Sequence, residues 1–192
     1  MVEFFIAKTK IKIGFLFVCM LSLLSFLDKS GTIFLSLVFS LFHEMGHIIA
    51  IALCKGRIDE LSFHPYGIEM KLSKTNTFTT LNEIIVTASG CMVNLLFLLI
   101  PNKTVQQINI GIFLFNVLPV GNLDGGRITR LAFTCFFGEG KGERLSLAVS
   151  FLTLIPLSAI GFYAVFTLQQ PSLLVCSIYL FVTLIIKREK LY

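Results

Sequence analysis

Charge is what this chain has least of. Of its 192 residues only 14% are charged, against 55% hydrophobic, and the mean hydropathy is +0.86. A soluble domain of this length needs far more polar surface than that. The composition therefore excludes a water-soluble protein and places residues 1–192 in a bilayer as one membrane-embedded domain. Paired cysteines are also missing. Cys19, Cys54, Cys91, Cys135 and Cys176 are scattered, mostly inside apolar runs, and no Cys-x-x-Cys occurs. They read as small buried hydrophobes, neither a disulfide framework nor ligands. Tryptophan is absent while phenylalanine occurs 20 times, which reads as lipid-facing and packing bulk. The net charge of +5 is not gathered on a soluble module, so nucleic acid is not an expected partner.

What is present is apolar length. Six apolar stretches run at about 11–27, 31–54, 82–101, 105–123, 145–168 and 171–187. A crossing helix needs on the order of 20 apolar residues, and lipid leaves helices as the default. The sequence thus predicts an all-α membrane protein of six transmembrane helices. The first stretch, after Lys8, Lys10 and Lys12, looks like a signal peptide at its start. It is longer than such an apolar region and has no small-x-small cleavage pattern after Leu27, so a retained helix is expected. The fourth stretch is interrupted by Pro119, Gly121 and Asn122, a break tolerated where backbone lines a protein cavity.

Orientation follows from Lys and Arg. Six crossings put Lys8, Lys10, Lys12, Lys55, Arg57, Lys71, Lys74, Arg127, Arg130, Lys141, Arg144, Lys187, Arg188 and Lys190 on one side. Only Lys29 and Lys103 fall on the other. Both termini are therefore expected in the cytoplasm, with Arg127 and Arg130 anchoring the interface. Between the second and third stretches, 58–63 and the alternating Ile68-Glu69-Met70-Lys71-Leu72 flank His64-Pro65-Tyr66-Gly67. This predicts a short membrane-associated β-hairpin, with an irregular amphipathic loop as the alternative. His64 reads as an ordinary turn residue, or as an extra ligand or inhibitory group.

Ionisable residues at membrane depth are costly and mark function by default. The chain has three histidines, and two of them lie in His43-Glu44-Met45-Gly46-His47. Histidines at i and i+4 share a helix face and can reach one ion. Glu44 points partly off that face and suits a base acting on a water. Imidazole with carboxylate suits zinc, and a catalytic zinc takes a third protein ligand and an open position. Asp124, at a matching depth in the expected layout, is the candidate third ligand for one zinc. Gly125 and Gly126 after it permit close backbone approach. The alternatives are a hydrogen-bonded packing pair of histidines, and Asp124 as a mere helix cap.

With Asn116-Val117-Leu118-Pro119-Val120-Gly121-Asn122-Leu123-Asp124-Gly125, the His-Glu-x-x-His window resembles the site-2 protease family of intramembrane metalloproteases. Ser89-Gly90-Cys91-Met92-Val93-Asn94 is similar to that family's intervening Gly-x-x-x-Asn segment. The resemblance covers about residues 31–130 and is nearest the compact branch of stage IV sporulation protein FB. Members of that branch often carry a C-terminal cystathionine-β-synthase-type domain. This sequence ends at Tyr192 without one, which leaves regulation by such a domain unsupported and a sporulation role open.

The resemblance implies a multi-pass protein of a bacterial cell membrane, with its active site toward the cytoplasm. It implies hydrolysis of a peptide bond in or near a transmembrane segment of a membrane-anchored protein or peptide. Glu44 would be the catalytic residue, and His43, His47 and Asp124 the metal ligands. Asn116 or Asn94 would bind the substrate backbone or the developing oxyanion; for Asn94, helix–helix packing is the alternative. The competing function is a non-catalytic zinc-binding membrane protein.

Overall fold

The computed structural model describes residues 2–6, 9–28, 30–64, 67–73, 76, 78–121, 123–169 and 172–189. The chain divides into two compact units, Met1–Phe113 and Leu114–Tyr192.

The first unit carries a sheet that the sequence only half announces. Strands β1 (Val2–Ile6), β2 (Thr9–Ile13), β3 (Ile58–His64) and β4 (Gly67–Leu72) pair in that order. The β3–β4 pair is the expected hairpin, antiparallel, with a register shift between Ile58 and Glu60. Pro65 and Tyr66 of its turn lie outside the described residues. Strands β1 and β2 correct the all-α expectation. Residues 11–13, assigned above to the first apolar stretch, belong to β2, which pairs parallel with β3. The alternation Lys10-Ile11-Lys12-Ile13 makes this possible, because it gives the strand one polar and one apolar face. Ile11, Leu61 and Met70 stand in register across three strands. On the polar face Glu60 takes Lys12 at 2.7 Å and Lys71 at 3.0 Å.

Parallel pairing needs a crossover, and here it consists of two helices. Helix α1 (Phe15–Leu27) leaves β2, and α2 (Thr32–Leu53) returns to β3. The Asp28 carboxylate accepts the Phe34 N–H at 2.9 Å and ties down the start of α2. After the hairpin comes α3 (Thr80–Phe97), whose Thr79 hydroxyl accepts the Asn82 N–H at 3.3 Å as an N-cap. Helices α2 and α3 pack along their length. Ala50, Ile51 and Val86 form a buried cluster at one end, and Phe39 meets Phe97 edge-on at 4.9 Å at the other.

The chain enters the second unit within α4 (Lys103–Val117), then runs through α5 (Asp124–Phe137), α6 (Glu139–Leu168) and α7 (Ser172–Glu189). Its core is Val120, Leu154, Leu180 and Leu184. Helix α5 falls in the expected cytoplasmic connection, where the sequence admits a helix only through the alternative role of Asp124 as a cap. Gly138, at φ 79°, separates it from α6.

Among the described residues three helical segments are long and apolar enough to cross a membrane: Thr32–Leu53, Thr80–Phe97 and Glu139–Thr167. Leu173–Ile185 is a shorter apolar helix. Helix α1, with 13 residues, spans about 20 Å. Large side chains such as Phe26, Leu53, Leu99 and Phe166 are exposed, as expected of a membrane protein.

Candidate metal centre

The buried face of α2 is Phe39, His43, Gly46, His47, Ala50 and Ile51. Leu41, Phe42, Met45 and Ile49 are exposed on the other side. The 3.6-residue period therefore turns both histidines inward. Glu44 is half-buried at the border between the two faces. The two imidazoles stand nearly perpendicular, centroids 4.9 Å apart, with their Nε2 atoms separated by 3.2 Å.

Helix α3 holds the far side of each ring. His47 Nδ1 lies 2.7 Å from the Val86 carbonyl oxygen. A carbonyl only accepts, so Nδ1 carries the proton and the Nε2 lone pair is left facing His43. The Ser89 hydroxyl donates to the same carbonyl at 2.6 Å. His43 Nδ1 lies 3.0 Å from the Asn94 side-chain amide, which is fully buried. Gly90 stands between these two anchors and against both rings. A Cβ there would lie 2.5 Å from His47 Nε2 and 2.7 Å from His43 Cε1. The Gly-x-x-x-Asn spacing thus places a bare backbone and an amide one helical turn apart, both against the histidine pair.

This arrangement fits a zinc ion on the histidine side. Two nitrogens on one tetrahedral zinc, each about 2.0–2.1 Å from it, stand about 3.4 Å apart. The observed separation is 3.2 Å. Each ring also has a polar partner at Nδ1, which a metal-ligating histidine usually requires.

The second unit builds the Asp124 segment by itself. Helix α4 ends at Val117, where the sequence predicts a break. Ser150 of α6, an apolar-run serine with no motif to flag it, satisfies the broken backbone. Its hydroxyl accepts the Gly121 N–H at 3.2 Å, and its single proton is shared between the Pro119 carbonyl oxygen at 3.0 Å and the Ser146 carbonyl oxygen of its own helix at 2.9 Å. Asn122 lies outside the described residues. The cap of α5 is Leu123, without a side-chain bond, so Asp124 is not the cap but the first helical residue. Its carboxylate sits at the positive end of the helix dipole. A Cβ at Gly125 would overlap the Val117 carbonyl, so only glycine lets α5 begin against the end of α4. Asn116 is half-buried in the last turn of α4. Arg127 is exposed and Arg130 half-buried.

Among the described residues the buried His, Asp and Glu side chains are His43, His47 and Asp124. Those are the residue types a zinc site draws on, in a chain where burying charge is otherwise avoided. Sequence reasoning missed the Val86 carbonyl, Ser89 and Ser150. A backbone acceptor leaves no sequence signal, and a serine in a helix usually bonds its own turn.

In fold the chain is similar to the site-2 protease from Methanocaldococcus jannaschii. The match has a TM-score of 0.66 and covers 95% of this chain and 93% of that one, at 19% sequence identity. No protein-family model and no curated protein matches the sequence.

Proposed function

We propose that the chain is an intramembrane zinc metalloendopeptidase of the site-2 type, nearest the compact branch of stage IV sporulation protein FB. It cuts a peptide bond in or near a transmembrane segment of a membrane-anchored substrate. One observation carries this reading above the rest: two buried histidines on an apolar helix, each tied at Nδ1, with their Nε2 atoms 3.2 Å apart. The shared fold supports it.

In this proposal His43, His47 and Asp124 hold one zinc. A buried carboxylate needs a cation or several donors, and Asp124 is only 6% exposed. Bound zinc supplies Lewis acidity, bringing a water's pKa to about 7 and polarising the scissile carbonyl. Glu44, beside His43 but off the ligating face, takes a proton from the attacking water and delivers it to the leaving amine. Asn116 donates its amide to the substrate backbone or the developing oxyanion. Residues 1–192 act as one membrane-embedded domain in a bacterial cell membrane. Six crossings, both termini in the cytoplasm and an active site toward that side complete the layout. The β2–β3 pairing supports this, because it holds the segment before α1 and the segment after α2 on one sheet. Two crossings between them return the chain to the same side.

The test is co-expression with a single-span substrate. Wild type should cut it. Glu44→Gln should bind zinc and leave the substrate whole. Equal cleavage by both removes Glu44 from its role, and zinc binding with no cleavage by wild type favours the non-catalytic reading.

A further inference from the structure

We infer that Asn94 is a positioning residue: its amide oxygen accepts the Nδ1–H of His43 and holds that ring in the tautomer that presents an Nε2 lone pair. The inference rests on the zinc reading of His43 and His47.

One chain of contacts can be protonated in two ways. The Asn94 amide, placed with Nδ2 toward the ring, meets His43 Nδ1 at 3.0 Å, His43 Nε2 meets His47 Nε2 at 3.2 Å, and His47 Nδ1 meets the Val86 oxygen at 2.7 Å. The last contact is fixed, because a carbonyl cannot donate. If Asn94 offers its Nδ2–H, His43 must accept at Nδ1 and carry its proton on Nε2. That proton then points at the His47 lone pair, and the two rings close on each other with no lone pair left for a metal. The Asn94 Oδ1 is then buried with no partner, and a half-turn of the amide puts Nδ2 in that same place, so this burial is common to both orientations. If the amide is turned half a revolution, Oδ1 accepts from His43 Nδ1–H. Both Nε2 lone pairs then face the same point, and a cation there relieves their repulsion.

Both amide orientations fill the same volume, so position alone does not choose between them. The metal does, since only the second leaves His43 able to ligate. His47 needs no such device, because the Val86 carbonyl cannot change role. Asn94 is an adjustable partner, held in place by full burial on α3. Turning its oxygen to His43 takes the amide away from the substrate role considered above.

The test measures zinc affinity of the full chain in detergent, by competition with a chromophoric chelator, alongside cleavage and a thermal melt. Asn94→Asp can only accept, so it should keep wild-type affinity within a few-fold or tighten it. Asn94→Leu should weaken binding by about 10–100-fold. If Asn94→Leu does not fold, Asn94→Ala takes its place. The inference is overturned if Asp and Leu lose affinity equally, which would make the amide N–H the group that counts. It is also overturned if both keep affinity and lose only turnover, which would make Asn94 a substrate contact. Wild type that binds no zinc defeats the metal reading itself, a result separate from either.

Discussion

A single methyl group at Gly90 should weaken the proposed metal centre and leave the helices standing. The Cβ of Gly90→Ala would lie 2.5 Å from His47 Nε2, 2.6 Å from His47 Cε1 and 2.7 Å from His43 Cε1. Non-bonded carbon contacts settle near 3.5–4.0 Å, so the rings must move by about 1 Å. They are pinned on the far side at 2.7 Å and 3.0 Å by Val86 and Asn94. Releasing either hydrogen bond costs about 0.5–1.5 kcal/mol, and overpacking of this kind costs about 1–3 kcal/mol in total. A ligand set tolerates displacement of about 0.5 Å. At about 1.4 kcal/mol per decade, the same 1–3 kcal/mol is a loss of roughly 5–150-fold in zinc affinity. Alanine favours a helix over glycine by about 1 kcal/mol, so the global melt should move little. Gly111→Ala is the control, because its added Cβ meets nothing within 4 Å. Zinc stoichiometry and affinity of the purified protein, with a melt and a cleavage assay, decide the matter. Gly90→Ala that binds zinc as tightly as wild type and still cuts would refute the reasoning.

The remaining predictions concern the supports of the site. Ser150→Ala strips partners from the Gly121 N–H and the Pro119 carbonyl. Each is part-buried, so each orphan costs at most about 1–3 kcal/mol; the thermal midpoint should drop, and zinc affinity should fall with it if Asp124 ligates. The Glu60 carboxyl is held down at about 2, from an ordinary 4.5, by Lys12 first and then Lys71. A lowered carboxyl stabilises the fold above its unfolded value and loses that contribution as pH falls. The β2–β3–β4 part of the sheet should therefore loosen in hydrogen exchange between about pH 4.5 and 2, and Glu60→Gln should remove Glu60's share of that pH dependence.

The pattern of legibility has physical causes. Helix α2 was readable because its apolar length, its i and i+4 histidines and the cost of charge in lipid point the same way. The hairpin was readable because 68–72 alternates and a turn precedes it. Strand β2 was not, since its two isoleucines run into the apolar residues of α1 and its partner β3 begins at Ile58. Parallel pairing is a long-range event with no local signature. Helix α5 was hidden for a similar reason. It lies between two long apolar stretches, and its glycines at 125 and 126 signal close backbone approach without saying that the end of α4 is what packs against them.

The amino-acid sequence alone settled the medium, the residue types of the candidate centre and their order along the chain. Composition and helical periodicity are local properties, and hydrophobic length acts without partners. Tertiary structure alone decided which atoms stand behind the histidines. The Val86 carbonyl, the bare Gly90 and the Asn94 amide become a tautomer-setting wall only because α3 packs on the buried face of α2. A hydrogen bond between helices depends on distance and angle across the interface, and neither is written in either helix by itself.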